Sequence, residues 1–355
     1  MDITHTNESG GLLEEALERV HASGPEREGW LSNHAPMVVE SLAAHGRADS
    51  VHRWLDLYRD RLEDFPDRTA PVTDDNWRTA LGDPRRIADW TDHFTRTLAE
   101  RPWREVLAEW WPRLLPGLYG GATHTVIRVG HAVRAVAAEE NAPRRTELAH
   151  ALGYWAARYQ PVTGLVAVPG GASAGQALDA VPAIEPGHVG FRDRLSAVRH
   201  LPAWAQEVTD PDTARQRLTE LVRAATHRYA AHGHGEPTML VHAATAPNAV
   251  LRTLDSLPRD QWAPSLHAAW AASAAVTAMY APKEPVAYVP PGRLAPEEVL
   301  ERALAHGDEH VIKLTDTALD VGDEQALAAA LRSVELSEPL VYAPDTTESP
   351  RDVRS

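Results

Sequence analysis

The sequence predicts a mostly α-helical protein, a multi-helix single domain with two sub-bundles around a central pocket. Apolar residues recur at i, i+3 and i+4 along most of the chain. Alanine, the strongest helix former, is abundant. No stretch sustains the apolar–polar alternation of a half-buried strand. With 355 residues the chain can bury a large core.

The first helix is expected over Gly11–Ala22, where Leu12, Leu13, Ala16, Leu17 and Val20 share a face. Ser32-Asn33-His34-Ala35-Pro36 reads as a cap with proline in the first turn, opening a helix that runs to about Ala44 and stops at Gly46. Val51–Asp64 carries Trp54, Leu55, Tyr58 and Leu62 at helical spacing, and Trp103–Leu115 ends at Pro116-Gly117. Thr123–Glu139 and Thr146–Tyr159 form a helical pair joined by a turn at Asn141-Ala142-Pro143. Residues 160–190 are rich in Pro, Gly and Ala, which fits a long loop, a lid or a seam between halves. Helical patterning resumes at Asp193–Leu201, Pro211–Ala231, Pro247–Ser256 and Ser265–Met279, then from Pro296 to Leu336. One domain over residues 1–343 is expected, followed by a flexible polar tail at 344–355.

Composition excludes several chemistries. There is no cysteine, so disulfides, thiolate catalysis, iron–sulfur clusters and cysteine-bound zinc are ruled out. A net charge of −15 argues against nucleic acid and anionic membranes as partners, and no apolar run is long enough to span a bilayer. The polar, acidic N-terminus lacks a signal-peptide layout, which favours the cytoplasm. Gly170–Gly175 is glycine-rich but lacks the spacing and the strand–turn–helix setting of a dinucleotide fingerprint. The 11 tryptophans can supply core volume or the walls of a pocket for a flat aromatic ligand. Oligomeric state is not legible.

Lys313 stands out because only two of the 35 Lys and Arg residues are lysines. It is flanked by Val311, Ile312 and Leu314, and a desolvated amine can become neutral and reactive where a guanidinium cannot. The plain alternative is a helix lysine that snorkels to solvent. His310 lies one turn earlier on the same face, and an i, i+3 pair can reach one metal ion. Among 18 histidines, His34, His124 and His242 also open or occupy apolar helical segments. His131 follows His124 by two turns, roughly 10 Å, so the two do not easily share an ion. His227, His232 and His234 cluster at a glycine turn and read as surface residues, while His150 lies on a packing helix.

These runs resemble one family. Tyr119-Gly120-Gly121-Ala122-Thr123-His124, continuing through Arg128 and His131 to Arg134, is similar to the central motif of the questin oxidase-like family. Asn33-His34, Glu147 to Trp155, Val241-His242-Ala243-Ala244-Thr245 and Asp308-Glu309-His310-Val311-Ile312-Lys313 match in the expected order, over roughly residues 30 to 320. The resemblance implies an oxygenase of polycyclic aromatic polyketides such as anthraquinones, by Baeyer–Villiger-like insertion or ring cleavage, with dioxygen as co-substrate. It implies a non-haem Fe(II) centre held by His34, His124, His242, His310 and a carboxylated Lys313, with His124 preferred over His131. His124, Arg128 and Lys313 are the expected catalytic residues, and His131, Tyr154, Trp155 and Thr245 are expected around them or along the pocket. For Arg128 and Arg134, pairing with an internal carboxylate is favoured over pairing with substrate oxygens. NADPH as an external reductant stays open. Two other readings compete: a metal-dependent hydrolase or lyase, and a non-catalytic helical protein that binds a flat aromatic.

Overall fold

A computed structural model describes residues 4–290, 292 and 295–340, with the side chains of residues 4–10 excepted. The expected tail at 344–355 lies outside the described residues. The helices of eight or more residues are α1 (Thr4–His21), α2 (Ala35–Ala44), α3 (Val51–Tyr58), α4 (Ile87–Glu100), α5 (Trp103–Leu114), α6 (His124–Ala138) and α7 (Ala142–Ala157). They continue as α8 (Pro211–His232), α9 (His242–Thr253), α10 (Trp262–Tyr280), α11 (Pro296–His306), α12 (Glu309–Val321) and α13 (Glu324–Leu336). Among the described residues strand is confined to a β1–β2 hairpin (Glu26–Arg27 with Leu31–Ser32) and a parallel pair, β3 (Val166–Val168) with β4 (His200–Pro202). The fold is mostly α, as the periodicity predicts.

Several boundaries differ from the sequence expectation for identifiable reasons. Asn141 is not part of a turn; its side chain accepts from the Arg144 N–H, and Ala142 and Pro143 already form the first turn of α7. Pro247 does not start a helix but sits inside α9. A proline there leaves the carbonyl four residues earlier without its donor. That carbonyl, on Ala243, accepts instead from Ser273 Oγ at 2.7 Å. Pro112 inside α5 is compensated in the same way, because Gln261 Nε2 donates to the Ala108 carbonyl at 2.8 Å. Helix α4 lies outside the expected segments, although Ile87, Trp90, Phe94 and Leu98 are all buried along one face. Intervening Asp89, Asp92 and Arg96 dilute that stripe in the sequence.

The main apolar cluster runs from α4 through α10, on both sides of residues 160–190, so Val126 and Ile127 of α6 and Ala249 and Val250 of α9 belong to one core. A second cluster joins α1, α2 and α3 with Ile312 of α12, and a third joins α11, α12 and α13. Four helices close a ring of neighbours. α2 packs on α6, α6 on α9, α9 on α12, and α12 back on α2.

Candidate metal centre

Each helix of that ring begins at a histidine, and the four N-terminal ends converge. His34 is the residue before α2, His124 and His242 are the first residues of α6 and α9, and His310 is the second of α12. Local structure fixes each one. Asn33 Nδ2 donates to the Gly24 carbonyl, and its Oδ1 accepts from the Ala35 N–H, while the His34 N–H donates to Tyr58 Oη. His124 follows three residues with positive φ: Gly121 at 55°, Ala122 at 55° and Thr123 at 71°. A left-handed run that includes Ala and Thr costs energy, and here it turns the chain sharply enough to aim His124 inward. Asp308 caps α12, accepting from the N–H groups of His310 and Val311 at 3.0 Å each.

The Nε2 atoms of His34 and His124 lie 2.7 Å apart, and those of His242 and His124 lie 2.9 Å apart. The His310 ring centroid is 4.6 Å from that of His34, 5.8 Å from that of His124 and 5.5 Å from that of His242. His124 Nδ1 donates to the Gly121 carbonyl at 2.6 Å, and His242 Nδ1 donates to the Met239 carbonyl at 3.1 Å. Both therefore carry a lone pair on Nε2 when neutral. His34 has its Nδ1 towards the Glu309 carboxylate, 3.7 Å away and beyond hydrogen-bond reach. Two acceptors 2.9 Å apart, His124 Nε2 and His242 Nε2, cannot satisfy one another by hydrogen bonding. A cation between them can, and His34, His124 and His310 offer nitrogens that all lie within 4.8 Å of one another. The donor set fits a metal ion.

Lys313 lies close enough for its charge to act on all four imidazoles. Helical side chains lean back towards the N-terminus, so Lys313, one turn into α12, reaches back to the imidazoles. It is 1% exposed, and its Nζ has no hydrogen-bond partner among the described residues. Burial pushes its pKa down to about 7, against the opposing pull of Glu309 and Asp308. Burial also holds His34, His124 and His310 well below the usual imidazole range, with the Lys313 charge adding to the effect. His242 is lowered to about 3 for the same two reasons. The imidazoles thus keep their lone pairs available.

Above the four rings lies a cavity of about 440 Å³, lined by His34, His124, His242 and His310 at its floor and by Trp30, Tyr159 and Phe191 among its walls. That volume suits a small polycyclic ligand. A larger hollow, about 840 Å³, is lined by His227, Arg228 and Tyr288 and shares no residue with it.

Other candidate residues lie elsewhere. Arg128 is 3% exposed, and its Nε and Nη2 donate to the Glu147 carboxylate at 2.6 and 2.9 Å. It is bound within a structural ion pair and does not line the cavity. His131 Nδ1 lies 2.6 Å from Glu40 Oε2, in a buried network where Arg134 bridges Glu40 and Asp316. Tyr154 Oη meets Ser32 Oγ at 2.7 Å behind Gly121. Trp155 packs edge-on against Trp111, and Thr245 Oγ1 donates to the Val241 carbonyl. None of these lines the cavity among the described residues. Sequence reasoning missed Glu309, which is 2% exposed, lines the cavity, and takes two bonds from Arg61 Nη1 at 3.0 and 2.9 Å. Its signal was its place beside His310, but its partners come from distant segments.

The questin oxidase-like family model matches residues 31–317, a span that includes all four histidines and Lys313, and the chain belongs to that family. No curated protein matches it.

Proposed function

Proceeding from that membership, we propose that the chain is an iron-dependent oxygenase that oxidises a flat aromatic polyketide of the anthraquinone type, by Baeyer–Villiger-like insertion or ring cleavage. The observation that carries the reading is the convergence of four imidazoles on one cavity, with the buried amine of Lys313, unpartnered among the described residues, close enough for its charge to act on all four. His34, His124, His242 and His310 would hold the ion. Lys313, as its carbon dioxide adduct, would add an oxygen ligand and one negative charge. A nitrogen and oxygen set without thiolate suits iron(II). Iron bound there supplies the redox chemistry that couples dioxygen to an electron-rich phenol or hydroquinone.

The chain's own residues bind, orient and exclude water. Carboxylate contact on the far ring nitrogen fixes a ligating imidazole's tautomer and raises its basicity, which is the part given to Glu309 on His34, with Arg61 holding Glu309 in place. Trp30, Tyr159 and Phe191 offer aromatic faces to a flat substrate. Arg128 has no part in this chemistry, because its guanidinium serves Glu147.

Elemental analysis of anaerobically purified protein tests the metal. About one iron per chain, lost in His310→Ala, is the expected result. A metal-free wild type that cannot be reconstituted would overturn the proposal. Oxygen uptake with an anthraquinone then tests the reaction class, and omission of NADPH shows whether an external reductant is needed. Turnover under strict anaerobiosis would replace the oxygenase with a metal-dependent hydrolase or lyase.

A further inference from the structure

The cavity above the imidazoles is cationic in a chain whose net charge is −15. Arg27, Arg158 and Arg192 line it, and its one carboxylate, Glu309, already accepts both bonds from Arg61. The three arginines are not equivalent. Arg158 is engaged by Glu26 and by the Gly29 carbonyl. Among the described residues Arg27 meets only Glu28, whose side chain is 65% exposed, and the Nε of Arg27 is buried without a partner. Arg192 has no ion pair and no side-chain hydrogen bond among the described residues.

Their setting is aromatic. Arg27 ends β1, and the hairpin turn after it carries Trp30, which is 64% exposed and also lines the cavity. Arg192 follows Phe191, another lining residue. Arg27 and Arg192 line the same cavity as His34, His124, His242 and His310. The cationic mouth and the imidazole floor therefore belong to one continuous space.

We infer that the cavity selects a flat aromatic acid, its carboxylate held by Arg27 and Arg192 and its rings lying against Trp30 and Phe191. The far end of the ring system then faces the imidazoles, a consequence that rests on the oxygenase reading. A carboxylate is the matching anion because it is ionised at neutral pH and accepts a guanidinium in two parallel bonds. A phenol offers one oxygen and does not match the two parallel bonds of a guanidinium.

Calorimetric binding of anthraquinone-2-carboxylate and anthraquinone-2-carboxamide to the iron-loaded enzyme tests the inference. The carboxylate is expected to bind about tenfold tighter or better, with an advantage that shrinks as salt rises. Arg27→Gln and Arg192→Gln should each reduce carboxylate affinity and leave the carboxamide nearly unchanged. Arg192 is exposed, so its variant keeps the test valid if Arg27→Gln fails to fold. Equal affinity for the two ligands, no binding of either, or a preference that survives both substitutions would overturn the inference. Loss of the preference with iron content and oxygen uptake intact would leave the oxygenase proposal standing. An intact preference on a chain that never holds iron would do the reverse.

Discussion

At the residue scale the centre stores a cost that its function explains. A buried amine with no partner destabilises the fold, and Lys313 Nζ is such a group. Lys313→Met keeps a similar length and removes the polar atom. It should raise the stability of the metal-free protein by roughly 1–3 kcal/mol, seen as a higher urea midpoint, while turnover disappears. A destabilised Lys313→Met protein would mean that the amine has a partner after all. Lys313→Arg should also lose turnover, because a guanidinium does not take up carbon dioxide; retained turnover would remove the carboxylated lysine from the proposal. Glu309→Gln keeps the shape but loses the charge facing His34 Nδ1, so iron affinity should fall about 10–100-fold in a chelator competition. Arg128 makes the opposite case. Arg128→Met leaves the buried Glu147 carboxylate with His21 alone and should cost about 3 kcal/mol in denaturant unfolding. Any protein that still folds should bind iron normally.

At the element scale the centre depends on close contact between α6 and α9. A Cβ on Gly130 would lie 2.5 Å from Ala249 Cβ and 2.9 Å from the Ala249 carbonyl oxygen, so only glycine lets the two helices approach. Gly130→Ala should push them apart, destabilise the protein by about 1–3 kcal/mol and separate His124 from His242. Thermal melts together with iron content measure both effects, and unchanged iron content would show that the helix spacing is not what sets the ligand geometry. What the sequence revealed tracks the range of each interaction. The pairing of His310 with Lys313 is local, set by helical periodicity, and so it was readable. The meeting of His34 with His124 spans 90 residues, and that of His124 with His242 spans 118. Only tertiary packing brings those together, and the resemblance between motifs supplied what spacing could not. The same distance effect hid which internal carboxylate pairs with Arg128, namely Glu147 across two helices, and the rescue of Pro247 by Ser273.

At the scale of the whole molecule the burial that keeps imidazoles neutral also sets how the fold meets acid. His150 on α7 lies outside the metal centre, packed against His21 and Phe65. Burial, with help from the charges of His21 and Arg128, lowers it to about 3. A histidine held below its unfolded value of 6.5 leaves the unfolded chain binding more protons as pH falls. Stability is therefore complete above pH 6.5 and declines from there towards pH 3, by about 2 kcal/mol at pH 5 for this one group. Glu147 acts in a lower window. Although burial opposes ionisation, Arg128 and His21 hold it at about 2, so its contribution is whole above pH 4.5 and is lost between there and pH 2, about 3 kcal/mol in all. Acid destabilisation should thus begin in the imidazole range, before Glu147 titrates. His150→Phe replaces one buried ring with another and removes the first of these terms. Urea midpoints at pH 7.5, 6 and 5 should fall less steeply in the variant, by about one proton in the linkage slope. Identical slopes in the two proteins would mean that His150 keeps its ordinary affinity for protons in the folded state, and that the ring is more open to water than its packing against Phe65 implies.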